Sequence, residues 1–226
     1  MPRIAQRTDQ MFSMLPRAAL RDFLAAARPI RLRAKETLFH AGDAGSSCYF
    51  LRGGAAKATV IAKDGQERLL AVLGPGSLIG ELSLFDDRAR SATVTALRPS
   101  RLMQLTKSSF IRLADANPMI YRQTLRLLTV RLREANDSVV AQGSATVLGR
   151  VARAFLSLVN GLGEERGGRV ILTQRVTQAE IAAMAGVARE NANRAIAELV
   201  EDGTLSRQRG LYAIEKPDIL ASLSEI

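Results

Sequence analysis

Two hydrophobic periods run through this chain, and no single regular architecture accommodates both. From Ile30 onward apolar residues come in short runs, at 30–32, 37–39, 49–51, 58–61, 69–73 and 93–97, with a period of two that predicts β-strands. Turn signals separate them: Gly42-Asp43, Gly53-Gly54, Lys63-Asp64-Gly65 and Gly74-Pro75-Gly76. Many short strands at roughly ten-residue spacing predict a β-sandwich or a jelly-roll barrel. After Pro118 the period changes. Tyr121, Leu125, Leu128, Leu132, Ala135, Val139 and Gln142 step alternately by four and three, a heptad seam along one long helix. Arg122, Arg126, Arg131, Arg133, Glu134 and Asp137 surround that seam. A strict seam on a long, unbroken helix predicts pairing with a second copy of the chain; the alternative is a helix packed on its own domain. Residues 1–27 read as short amphipathic helices broken at Pro16.

The β region is interrupted at residues 80–94, which read G-E-L-S-L-F-D-D-R-A-R-S-A-T-V. Gly80 has no Cβ and lets the backbone approach a ligand closely. Residues 82–85 have the pattern of a short helix whose first N–H groups point at an anion. Arg90 brings a planar, permanently charged fork for phosphate oxygens, and Ser91 adds a hydroxyl donor. A phosphate repels Glu81, which suits it instead to accept from a hydroxyl such as a ribose 2′-OH. One phosphate and one ribose hydroxyl on a single loop describe a nucleotide site. The competing reading is a plain strand–turn–strand with a surface Arg–Glu pair, which contributes little to stability. The nearby glycines 74, 76 and 80 do not make a dinucleotide fingerprint, because Pro75 sits in the turn and no strand–helix–strand unit frames them.

Beyond Gly143 a second unit follows. Residues 147–162 form an amphipathic helix, 161–168 a Gly/Glu-rich loop, and 170–173 a short strand. Thr177-Gln178-Ala179-Glu180 has the form of a capping box, followed by Ile181, Met184 and Val187, and Gly186 marks a turn. A second helix covers 188–202, and residues 204–214 hold two short strands around Gln208-Arg209-Gly210. Helix, glycine turn, helix and ribbon make a winged helix-turn-helix. On a helical wheel Ala192, Ala195, Ile196 and Leu199 face inward, while Arg189, Glu190, Asn193 and Arg194 project from the first two turns. Arg forks onto guanine O6/N7 and Glu accepts from cytosine N4, so these are base-reading types. Arg207 and Arg209 on the ribbon suit phosphates, which position a protein without reading sequence.

Charge points to an anionic partner, since the net charge is +10 and the pI about 10.7. It does not locate the DNA-binding half. From Ser144 onward ten Lys/Arg balance ten Asp/Glu, so the whole excess lies in residues 1–143. The lone Cys48 excludes an internal disulfide and fits a reducing cytoplasm. The mixed polar and apolar N-terminus reads as neither signal peptide nor anchor, and no apolar run is long enough to span a bilayer. The expected location is the cytoplasm, away from membranes.

The loop, the heptad helix and the helix-turn-helix occur in the order found in bacterial transcription regulators of the cyclic-AMP receptor protein type, and nearly the whole chain resembles this CRP/FNR family. The G-E-L…R-S-A-T-V order and the Glu-to-Arg spacing are similar to the phosphate-binding cassette of cyclic-nucleotide-binding domains. The resemblance implies an α+β chain with a cyclic-nucleotide-binding β jelly-roll at 1–117, a dimerisation helix at 118–143 and a winged helix-turn-helix at 144–226. It implies Gly80, Glu81, Leu82, Ser83, Arg90 and Ser91 at ribose and phosphate, with Arg131, Ala135 and Asn136 contributed by the long helix. It also implies Thr177, Gln178, Arg189, Glu190, Asn193, Arg194, Arg207 and Arg209 at double-stranded DNA. The family's readers go with a TGTGA-like half-site in a two-fold pair, a homodimer, cyclic AMP as effector and contact with RNA polymerase.

Two positions depart from the family pattern. Its Thr-Ser pair for the nucleotide base is Ala135 and Asn136 here. Alanine cannot hydrogen-bond adenine, whereas Asn136 offers both donor and acceptor and suits adenine or guanine, so cyclic GMP stays open beside cyclic AMP. The recognition helix starts at Ala188 where the family often has a serine cap, a loss of about 1 kcal/mol. Other functions fare worse. One His and one Cys do not make the metal set of a phosphodiesterase, and no paired-carboxylate or nucleophile motif points to an enzyme. One cysteine excludes an iron–sulfur sensor. His40 and Cys48 as haem ligands are weighed against a structural histidine in a β-rich core, and no metal, haem or cluster is expected. A DNA-binding protein that needs no ligand remains the alternative because of Ala135.

Overall fold

A computed structural model describes residues 17–62, 65, 67–141 and 146–224. The chain divides into two compact units, Thr8–Leu132 and Arg133–Ile226. The expected helices before residue 17, the turn residues Lys63 and Asp64, and Gln142 at the end of the heptad seam lie outside the described residues.

The first unit opens with α1 (Arg17–Ala26), then β1 (Arg28–Leu32), β2 (Thr37–Phe39) and the long β3 (Ser47–Ile61). Next come β4 (Glu67–Leu73), β5 (Leu78–Ile79), a one-turn α2 (Leu82–Phe85) and the long β6 (Thr93–Thr106). Helices α3 (Lys107–Ala116) and α4 (Met119–Ala141) follow, and α4 runs on past Leu132 into the second unit. All strand pairs are antiparallel, in the order β1-β6-β3-β4, with β2 also on β6 and β5 on β3. Alternation along β3 builds two cores. Cys48 and Phe50 point to one that also holds Phe23, Leu105, Phe110, Ile120 and Leu127, so α1, α3 and α4 cover that face. Tyr49 and Leu51 point to the other, with Leu32, Leu73, Ile79, Val94 and Leu102.

Gly53-Gly54 does not turn the chain. β3 runs straight through it, and the register against β6 shifts between Leu51 and Gly53, and again to Ala55 and Ala56. These are bulges, where an extra residue bends the strand without ending it. Gly54 has φ +94°, and a Cβ there would lie 2.4 Å from Ser100 Oγ and 2.5 Å from the Pro99 carbonyl oxygen. The two runs at 49–51 and 58–61 are therefore one strand. The run at 93–97 likewise continues to Thr106, because each long strand pairs with the other over most of its length.

Helix α4 has two distinct faces. Ile120, Gln123, Thr124 and Leu127 are buried, whereas the seam residues Leu125 and Leu132 are 64% and 62% exposed. Tyr121 and Leu128, also on the seam, are half-buried.

The second unit contains α5 (Val147–Leu162), β7 (Gly163–Arg166), β8 (Arg169–Leu172), α6 (Gln178–Ala185), α7 (Arg189–Glu201), β9 (Leu205–Gln208), β10 (Leu211–Ile214) and α8 (Pro217–Leu223). Residues 161–168 are not a plain loop: β7 pairs with β8, and the tight turn at Gly167 and Gly168 joins them. The ribbon is thus part of a four-stranded sheet, β7-β8-β10-β9. Its core includes Val151, Phe155, Leu158, Leu172, Ile181, Ile196, Leu199 and Leu220, with Phe155 edge-on to Tyr212 at 5.1 Å. The capping box is complete: Thr177 Oγ accepts from Glu180 N–H, and Glu180 accepts from Thr177 N–H.

Candidate functional site

The 80–94 loop spans the end of β5 to the start of β6. Its two charged anchors, both nearly sealed from solvent, are Arg90 at 5% exposure and Glu81 at 2%. Arg90 Nη1 donates to the Gly80 carbonyl oxygen at 2.8 Å and to Ser83 Oγ at 3.2 Å, and Nη2 donates to the Ser47 carbonyl oxygen at 2.7 Å. Its Nε is buried without a partner among the described residues, and no carboxylate pairs with its charge there. Burying a guanidinium without a counter-ion is costly, so the site suits a small anion.

Glycine at position 80 has a sharper reason than room for a ligand. Its φ is +74°, and a Cβ would stand 2.4 Å from Arg90 Nη1. The position must be bare for the guanidinium to reach its carbonyl. Residues 82–85 do form the expected helical turn, with Ser83 and Leu84 buried. Ser91 is exposed and Leu82 partly so.

Glu81 is held by Arg131, whose Nη1 donates to Oε1 at 2.5 Å while Nη2 donates to the Leu78 carbonyl oxygen at 2.8 Å. This charge-assisted bond fixes a carboxylate in a dry setting. Cys48 lies nearby, and burial pushes its thiol up, with the charge of Glu81 adding to the effect and Arg90 opposing it. Such a thiol is inert. Ala135 and Asn136, on α4 in the second unit, are exposed.

The second unit gathers its cations differently. Arg189, Glu190 and Arg194 are exposed at the start of α7, while Ala192, Ala195, Ile196 and Leu199 are buried. Ala188 makes no side-chain cap, and the acidic Glu190 in the first turn partly compensates through the helix dipole. Arg194 donates to Asn191 Oδ1 at 2.6 Å. Asn193 is half-buried, and its Oδ1 is buried without a partner among the described residues. The wheel placed it outward; its carbonyl end faces in.

A concave site of about 300 Å³ is lined by Arg175, Thr177, Gln178, Arg189, Arg207 and Gly210. Three arginines beside the first turn of α6 make it electropositive, which suits an anion. Thr177 Oγ and N–H are both committed to the capping box. Arg175 was not among the sequence candidates. It is exposed, and its Nη2 donates to the Arg209 carbonyl oxygen at 3.3 Å, tying the strand–helix junction to the ribbon turn. Its only signal in the sequence is a cation two residues before a capping box. Arg207 lies over the buried Tyr212 ring at 5.4 Å.

Comparison with known proteins finds one domain match in each of the two regions. Residues 29–117 match the family model described as a cyclic nucleotide-binding domain, and residues 149–223 match the Crp-like helix-turn-helix domain. The chain is 32% identical to the CRP-like cAMP-activated global transcriptional regulator of Mycobacterium tuberculosis over 88% of its own length and 85% of that protein's. It is 31% identical to the cyclic AMP receptor protein of Thermus thermophilus, covering 83% of each. The crystal structure of the Thermus thermophilus catabolite activator protein superposes with a TM-score of 0.55 at 27% identity, over 95% of this chain and 98% of that one.

Proposed function

Because this chain belongs to the CRP/FNR family of cyclic-nucleotide-binding, DNA-binding transcription regulators, we propose that it is a homodimer switched onto DNA by cyclic AMP. The observation that carries the ligand half is Arg90: a buried cation with no counter-ion among the described residues and one unpartnered N–H. A cyclic phosphate supplies both the charge and the acceptor. Glu81, held by Arg131, accepts the ribose hydroxyl, and Ser91 donates to the phosphate. The relatives whose descriptions name cyclic AMP favour that nucleotide over cyclic GMP, and Asn136 takes the base-reading role that Ala135 cannot.

The dimer reading rests on Leu125 and Leu132, a heptad apart and largely exposed on a face of α4 that its own unit leaves uncovered. Leu125→Asp with Leu132→Asp should give monomers by light scattering without loss of fold. The dimer then presents two copies of α7 to a TGTGA-like palindrome with half-sites about one helical turn apart, and bound there it contacts RNA polymerase in the cytoplasm.

Nucleotide can change DNA affinity only through its differential affinity for the two arrangements, typically about 1–3 kcal/mol. A gel-shift titration with and without cyclic AMP should show binding tightened by roughly 5- to 150-fold. Asn136→Ala should reduce that ratio more than it reduces DNA binding itself. Equal binding in both conditions would mean that the switch is absent and that the chain binds DNA without a ligand.

A further inference from the structure

We propose that Phe39 is a positioning residue for the cyclic phosphate, acting through Arg90: its ring carries the buried guanidinium so that Nε stays free for the ligand. This rests on the cyclic-nucleotide reading of the site. Arg90 Cζ stands 4.4 Å above the centroid of the Phe39 ring and 5.8 Å from that of Tyr49. The two rings are 5.9 Å apart and inclined at 34°, so together they form a slanted aromatic seat. An aromatic face attracts a cation electrostatically, more strongly the less water competes, and this guanidinium is almost fully desolvated.

The seat is built by elements that the loop itself does not contain. Phe39 ends β2 and pairs with Val94 on β6, which places its ring against Gly80 as well: Cε1 is 3.4 Å from where a Gly80 Cβ would be. Tyr49 sits opposite Gln104 across the β3–β6 ladder. Gln104 Nε2 donates to Ser47 Oγ at 3.1 Å and to the Tyr49 hydroxyl at 3.4 Å, and Ser47 Oγ donates to the Tyr49 hydroxyl at 3.2 Å. The Ser47 carbonyl in turn receives Arg90 Nη2. Gln104 therefore holds one ring of the cradle and the side chain of the serine whose carbonyl receives Arg90.

A guanidinium has five N–H donors in a rigid fork. The Gly80 and Ser47 carbonyls and the Ser83 hydroxyl occupy the Nη edge. With the rings below, the fork cannot rotate to place Nε on a protein oxygen, and that donor is left for a ligand. The phosphate then meets an arginine whose ordering cost is already met by the fold.

The test separates ring electrostatics from ring packing. Cyclic AMP affinity by calorimetry and thermal unfolding are measured for the full-length protein and for Phe39→Leu, Phe39→Tyr and a variant carrying pentafluorophenylalanine at position 39. Pentafluorination nearly preserves shape but reverses the ring quadrupole. Phe39→Leu and the fluorinated variant should weaken cyclic AMP binding by about 3- to 30-fold, and Phe39→Tyr should keep wild-type affinity. The fluorinated variant should lose affinity while its melting temperature stays near wild type. Wild-type affinity in the fluorinated variant overturns the positioning role and leaves the nucleotide reading intact. A wild-type protein that binds no cyclic nucleotide overturns both.

Discussion

The two anion-facing regions of this molecule handle their arginines in opposite ways. In the cassette, Arg90 is buried, its Nη edge already bonded to protein oxygens and its plane seated on an aromatic ring. On the winged helix, Arg189, Arg207 and Arg209 are exposed and form no ion pair among the described residues. The ligands proposed for the two regions account for the difference. A cyclic nucleotide offers one phosphate, so the single contact must be strong, and a desolvated, preordered fork makes it so. DNA offers a phosphate every few ångströms, so many weak, solvated contacts suffice and their sum is set by salt. Burial makes Arg90 part of the fold as well as the site. Exposure keeps the arginines of the winged helix out of the folding balance.

Arg90→Leu tests that contrast most severely. It should lower cyclic AMP affinity at least tenfold, through loss of a charge-assisted contact of about 1.5–3 kcal/mol. It should also lower the melting temperature, because the Gly80 and Ser47 carbonyl oxygens lose their donor. Calorimetry and thermal unfolding read the two effects separately; unchanged affinity would remove Arg90 from the site.

Glu190→Ala comes next. Discrimination at one base pair should relax by about 1–3 kcal/mol in competition gel shifts, with nucleotide affinity unaltered. Folding stability should fall by no more than the roughly 0.3–1 kcal/mol that an acidic residue contributes at a helix N-terminus. A large stability loss would make Glu190 a structural residue of α7 instead of a reader.

The smallest expected effect belongs to Arg207→Ala. It should weaken all DNA sequences about equally and reduce the slope of log affinity against log salt by about 1. The melting temperature should hold. If it drops as far as in Arg90→Leu, the contact of Arg207 with the Tyr212 ring matters to the fold and the contrast between the two regions fails.

Much of this was legible from local pattern. The period of two from Ile30, the helical turn at 82–85, the capping box at Thr177 and the inward set Ala192, Ala195, Ile196 and Leu199 each depend on neighbours within a few positions. Local chemistry survives folding, so these readings carry over to the structure. By itself the sequence determined which regions are β and which helical, one loop with an arginine of the type that suits phosphate, and a helix seam with leucines at heptad spacing.

What tertiary structure alone decided are relations between distant residues. Gly53-Gly54 has turn chemistry, yet the long pairing of β3 with β6 carries the strand through it and converts it to a bulge. Gly80 is needed because of Arg90, ten residues on, and Arg90 is seated by Phe39, Ser47 and Tyr49 from other strands. Helix α4 has apolar residues on two faces, and only packing against Phe23, Phe110 and Leu105 determines that Ile120 and Leu127 turn inward and leave Leu125 and Leu132 outside. The half-burial of Asn193 has the same origin. Periodicity assigns a residue to a side of its own element; which side is dry depends on the surfaces that other elements bring to it.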